Sequence, residues 1–192
     1  MGCDIHTYVE TRKTSKHKWR LLNKEHFSKF DYSLKAFIKN STSSPFSSRH
    51  YALFGVLAGV RYNDIKSFGK PKGIPDDVSY SVGKFWKAEE GDAHSASHLS
   101  VKELIEFNFF EEMEYDDSFY EEFSIHPHKF GNTFGNRVVC IEKERPKNIY
   151  MHKKYKQTLK AFIGELFFVQ LDEMCDLHQD PENVRLVFWF DN

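Results

Sequence analysis

The chain has 192 residues, 40% of them hydrophobic and 29% charged, with a formal net charge of −1. That length and balance suit one folded domain spanning 1–192 and exclude a disordered chain. The near-zero charge argues against a protein that holds a nucleic-acid polymer mainly by electrostatics.

Cys3, Cys140 and Cys175 are far apart and form no disulfide framework, which points to a reducing cytoplasm. No signal-peptide core is present, and the longest apolar runs fall short of a membrane span. Met1-Gly2-Cys3 has the small residues of an acylated N-terminus, but His6 stands where a myristoylation signal prefers Ser or Thr. A buried first strand is the simpler reading. The aromatic content, 16%, fits an aromatic-rich core, with the sharper option that a few rings stack on a base or a partner.

In chain order, residues 3–12 and 17–22 read as two strands of a hairpin, with Lys13, Thr14 and Ser15 in the turn. Residues 40–48 form a polar Ser/Pro loop. Tyr51, Leu53, Phe54, Val56, Leu57 and Val60 then mark a helix that weakens at Gly59. Residues 63–78, with Gly69, Pro71, Gly73 and Pro75, are loop. Residues 79–88, carrying Tyr80, Val82, Phe85 and Trp86, read as a strand.

The polar cluster Asp92–Ser97 leads into Ser100-Val-Lys-Glu103, a capping-box pattern before a short helix. Free N–H groups there favour anions. Residues 111–122 are strongly acidic and read as a solvated surface. Gly131-Asn132 and Gly135-Asn136 suggest turns before a strand at Arg137–Glu144. Leu159, Phe162, Ile163, Leu166, Phe167 and Met174 imply a long helix over about Lys153 to His178, ended by Pro181. The last strand is Val184–Phe190. Strands near both termini around helices give an α+β fold. Its mixed or antiparallel sheet includes both terminal strands, and the long C-terminal helix packs on that sheet.

The chemistry concentrates in two Asp-x-His pairs. On a strand, Asp4 and His6 point the same way, so a carboxylate sits beside an imidazole. Asp92 and His94 repeat the spacing. The plainer reading is a hydrogen-bonded polar face and a capped loop. The functional one is a bipartite site of Asp4, His6, Asp92 and His94, either a mixed N/O site for a divalent metal or a metal-free acid–base site. Arg49, His50 and Arg61 bracket the first helix, as surface charge or as a phosphate clamp. His126-Pro-His128 is a weaker metal candidate. Serine-nucleophile, Walker-loop, His-Glu-x-x-His and zinc-finger signatures are absent. Asp-x-His at a strand end resembles the first metal motif of calcineurin-like phosphoesterases, but the rest of that signature is missing and the family is not assigned.

Several blocks together resemble a family of small, uncharacterised bacteriophage proteins that begin Met-Gly-Cys-Asp-Ile-His. The other blocks are Tyr51-Ala-Leu-Phe-Gly-Val-Leu-Ala-Gly-Val-Arg61, Gly73-Ile-Pro-Asp-Asp77, Asp92 to Ser97, and Phe190-Asp191-Asn192. The resemblance brings Asp191 and Arg61 forward as site residues. It also implies a phage protein in the bacterial host cytoplasm, where small phage proteins often counter host defence.

The resulting expectation is a pocket that binds a small anionic ligand, a phosphate-bearing nucleotide, and hydrolyses it. Asp4, His6, Asp92 and His94 are the metal or acid–base groups. Arg49, Arg61, Ser95, Ser97 and Asp191 contact the ligand. The alternatives are a non-catalytic protein that sequesters such a nucleotide, and an inhibitor that meets a host protein through its acidic, aromatic 107–123 surface. A homo-oligomer is compatible with all three.

Overall fold

The most apolar strand among the described residues lies inside the main sheet. The computed structural model describes residues 2–61, 65–120 and 150–192. They divide into two compact units, 1–108 with 163–192, and 109–162. The expected turns at 131–136, the strand at 137–144, Cys140 and His126/His128 lie outside the described residues.

The first unit holds a four-stranded sheet of β1 (Asp4–Thr11), β2 (Arg20–Leu21), β5 (Ala93–Ser100) and β8 (Val184–Asp191). Its order is β2-β1-β8-β5, with every pairing antiparallel. β8 is therefore interior, next to the N-terminal hairpin. All its residues from Val184 to Phe190 are buried. A strand apolar on both faces needs cover on both. Helix α2 (Tyr80–Glu89) covers one face, where Val82 and Trp86 pack on Val187 and Trp189. Helix α1 (Tyr51–Ala58) covers the other, with Phe54 edge-on to Phe190 at 5.1 Å. Each such fully buried Phe stabilises the fold by about 1.5–3 kcal/mol.

α1 is apolar almost all round, as a core helix should be, and every residue after Tyr51 is buried. His50 caps its N-terminus by accepting the Leu53 N–H at 3.1 Å. Gly59 closes it with φ 68°, the left-handed conformation that glycine adopts without penalty. A hairpin of β3 (Phe27–Asp31) and β4 (Ala36–Thr42) follows β2, so the polar loop begins only after Thr42. Gln170 ties it in, accepting the Phe46 N–H and donating to the Ser28 carbonyl.

The α+β class and the single sheet carrying both terminal strands are as expected. The second strand of the opening hairpin shortens to Arg20–Leu21, and two further elements differ in type. Residues 79–88 are helical, not extended. Ser79 caps the helix, and Val82, Phe85, Trp86 and Glu89 recur at i, i+3, i+4 and i+7. The long C-terminal helix is also replaced. β7 (Tyr150–Thr158) pairs with β6 (Glu112–Tyr120) in a two-stranded ribbon. Two short helices follow, α4 (Leu159–Ile163) and α5 (Glu165–Cys175), separated at Gly164, whose φ of 79° interrupts helical geometry. Pro181 opens a 3₁₀ turn before β8. The short helix α3 (Val101–Glu106) begins with the expected capping box of Ser100 and Glu103.

Candidate functional site

β1 alternates as a half-exposed strand should. Ile5, Thr7 and Val9 are buried on the α1 side, and His6 and Tyr8 face α2. Register places Asp4 opposite Asp191 and His6 opposite Trp189. His6 thereby sits at the open end of the sheet, stacked on Trp189 with ring centroids 5.9 Å apart. Its Nε2 lies 3.1 Å from Asp191 Oδ2, and its Nδ1 lies 3.4 Å from Glu89 Oε2. The three side chains are 30%, 40% and 39% exposed, respectively for His6, Asp191 and Glu89. The same Glu89 oxygen accepts the Trp189 Nε1–H at 2.7 Å. This Trp–Glu–His–Asp chain fixes the imidazole plane from three sides.

Two arginines stand at the same end. Arg49 clamps Asp4 with Nε to Oδ1 at 2.8 Å and Nη2 to Oδ2 at 2.6 Å, the bidentate geometry of a guanidinium on a carboxylate. That clamp holds the Asp4 carboxyl below the usual carboxylate range. Arg61 donates to Asn192 Oδ1 at 3.3 Å and lies 5.5 Å over the Tyr51 ring. Cys3 is buried beside it, and burial pushes its thiol up. Tyr8, next along the face, is pushed up to about 12 by burial and then by the Glu89 charge.

The second Asp-x-His pair reaches the same end of the sheet but does not join this cluster. β5 pairs with the far edge of β8, so one strand separates it from β1 and the backbones are about 10 Å apart. His94 sits opposite Phe190, while His6 sits opposite Trp189. Adjacent residues of β8 face opposite ways, so the two imidazoles project from opposite faces of the sheet. Asp92 is exposed in the turn after α2, its N–H bonded to the Glu89 carbonyl. The grouping of Asp4, His6, Asp92 and His94 in one metal or catalytic cluster is therefore not formed. Among the described residues no three His, Cys, Asp or Glu side chains are placed to hold a metal ion.

His94 Nδ1 lies 3.0 Å from Ser95 Oγ, and its Nε2 is buried with no hydrogen-bond partner among the described residues. Ser95 has φ 52° within a bulge between His94 and Ser97, which resets the alternation of β5. Ser97 is buried and accepts the Lys72 N–H at 3.1 Å, so it anchors a loop and does not face a ligand. The anion site expected at the start of α3 is also filled. The Glu103 carboxylate accepts the Ser100 N–H and pairs with Lys72. The cluster Asp92–Ser97, read as a loop, is largely strand.

Two groups of residues escaped the sequence reading. Glu89 was hidden because its helix read as a strand; the signal was its i+3 spacing from Trp86. The other is a buried network at the opposite end of the same face. Arg185 donates to Glu10 Oε2 at 2.7 Å and to Asp77 Oδ1 at 2.6 Å, while Glu10 Oε1 accepts the Ser79 N–H at 2.7 Å. Trp19 Nε1–H adds a bond to Asp77 at 2.9 Å. An arginine inside an apolar strand was the available signal.

No family model matches the chain, and no curated protein or solved structure matches it. No helix among the described residues is long and apolar enough to cross a membrane.

Proposed function

We propose that the His6 end of the main sheet binds a phosphate-bearing nucleotide and that His6 hydrolyses it by acid–base chemistry. In the phage setting that the sequence blocks suggest, the nucleotide is a host-defence signal. One observation carries this reading: a partly open imidazole held between two carboxylates, Asp191 and Glu89.

A carboxylate on one ring nitrogen fixes the tautomer and stabilises the ring when it takes a proton. Asp191 supplies that contact at Nε2. The Nδ1 contact to Glu89 is longer, and Glu89 is already committed to Trp189. A water or substrate oxygen therefore competes most readily at Nδ1. Arg49 and Arg61, at the same end of the sheet, are the partners proposed for phosphate oxygens, Arg49 by exchanging Asp4 for the ligand.

The test is hydrolysis of a panel of mono-, di- and cyclic nucleotides, with Mg²⁺, with Mn²⁺ and with chelator. His6→Ala should lower turnover by about 10²–10⁴-fold, the usual worth of a positioned acid–base group. Loss of turnover on chelation assigns a metal-assisted reaction. A folded His6→Ala protein with full turnover overturns the proposal. Tight binding without turnover by the unmodified protein replaces it with sequestration.

A further inference from the structure

A cleft lies at the other end of α2, between the β1–β2 turn and the residues that start the helix. Its volume is about 490 Å³, within the range that holds a nucleotide-sized molecule. Arg12, Lys16, His17 and Lys18 form one wall, and Asp77 to Tyr80 form the other.

The charge of this cleft is lopsided. Lys16 and Lys18 are exposed, and neither ammonium group has a carboxylate partner among the described residues. The turn carrying them is ordered, with the His17 N–H donating to the Thr14 carbonyl at 2.9 Å and the two side chains 2.8 Å apart. The one carboxylate among the lining residues, Asp77, is taken up by Arg185 and Trp19. Trp19 itself is held between two guanidinium groups, Arg12 at 4.3 Å and Arg185 at 4.1 Å from its ring centroid. The wall is thus cationic. On the rim, Tyr80 is 86% exposed, an aromatic ring left uncovered in a cleft that Lys16 and Lys18 also line.

We propose that this cleft binds a small phosphate-bearing molecule with a planar ring, the phosphates held by Lys16 and Lys18 and the ring stacked on Tyr80. Ammonium groups pair with phosphate as point charges, and an exposed aromatic ring offers a face to any base. The cleft is separate from the His6 site, because six positions along β1 span about 20 Å. Neither reading depends on the other.

Calorimetry on the full chain with ATP, adenosine and inorganic pyrophosphate, at low and high salt, tests this. ATP should bind, more weakly at high salt, and adenosine should not. Lys16→Ala/Lys18→Ala should weaken ATP tenfold or more. Both side chains lie on the surface, so the double variant should keep its melting temperature. Tyr80→Phe should preserve ATP affinity, and Tyr80→Ala should weaken ATP about fivefold or more while leaving pyrophosphate unchanged. His6→Ala should leave ATP affinity at this cleft intact. The proposal is overturned if ATP does not bind, or if the double lysine variant binds it as before. It is equally overturned if a single-stranded oligonucleotide binds tenfold tighter than ATP through the same lysines, which would make the ligand a polymer. Loss of cleft binding with His6-dependent turnover intact would leave the hydrolysis reading standing, and the reverse result would do the opposite.

Discussion

At one end of β8, Arg185 and Glu10 meet with side chains 6% and 0% exposed, with Asp77 accepting a further bond from Arg185 and the Ser79 N–H donating to Glu10. At the other end, His6, Asp191 and Glu89 meet with about a third of each side chain open to water. The residue types are alike, and both ends lie under the same helix, α2. What differs is saturation. A buried pair whose lone pairs and protons are all matched has nothing left to offer a ligand, and its loss leaves an uncompensated charge. An open cluster with one loose contact can exchange partners at little cost. The contrast fits a structural role for the Arg185–Glu10 pair and supports the proposal of chemistry at the His6 end.

Four measurements break or sharpen that contrast. Removing residues 184–192 deletes the central strand and should abolish cooperative folding; a soluble truncation with a sigmoidal melt would show that β8 is dispensable. Arg185→Met leaves Glu10 buried without its main partner and should cost about 3–5 kcal/mol by denaturant unfolding. Adding Glu10→Met to it should recover a large part of that loss, because the uncompensated charge is then gone; no recovery would mean that Asp77 and Trp19 carry the network. Tyr8 lies between the two ends, and its effect should appear only in alkali. Its folded pKa of about 12 lies above the unfolded value, so its contribution is fully present below about pH 10 and is lost as the pH rises towards 12. Tyr8→Phe should flatten the fall in stability over that window, and an unchanged alkaline slope would assign the fall to other groups. The smallest change in stability belongs to His6→Ala, within about 1 kcal/mol, since the ring is partly solvated. A larger loss would move His6 into the structural class with Arg185.

The parts of the fold that were legible in the sequence are those whose signals are local. The hairpin of 3–12 and 17–22, the helix at Tyr51, the Ser100/Glu103 capping box and the doubly apolar strand at 184–190 all follow from spacing within a few residues. Residues 79–88 misled because aromatic and β-branched side chains favour strands, while Ser79 and the i, i+3, i+4 pattern favour a helix; packing against Val187 and Trp189 settles the choice. The expected C-terminal helix is too long because the apolar periodicity from Leu159 onward runs on through Gly164, while Lys153–Thr158 pairs as a strand with β6. The site was half legible. Asp4, His6 and Asp191 share a face through alternation and register. His94 could not be placed, because its face depends on the register of β5 on β8, which a bulge at Ser95 shifts, and neither leaves a mark in residue spacing.

The pairing of His6 with Asp191 spans 185 positions of chain. A ribosome adding about 5–20 residues per second takes roughly 10–40 s to cover that distance. Throughout that interval β1 has its hairpin partner on one edge and nothing on the other, and a two-stranded hairpin is at best marginally stable in water. Ile5, Val9 and the open backbone of β1 are then exposed to other nascent chains. The yield of folded protein in the cell should therefore depend on translation speed and on chaperone capacity more than its final stability would suggest. Slowing the elongation of residues 100–180 should lower that yield before any change is seen in the purified protein.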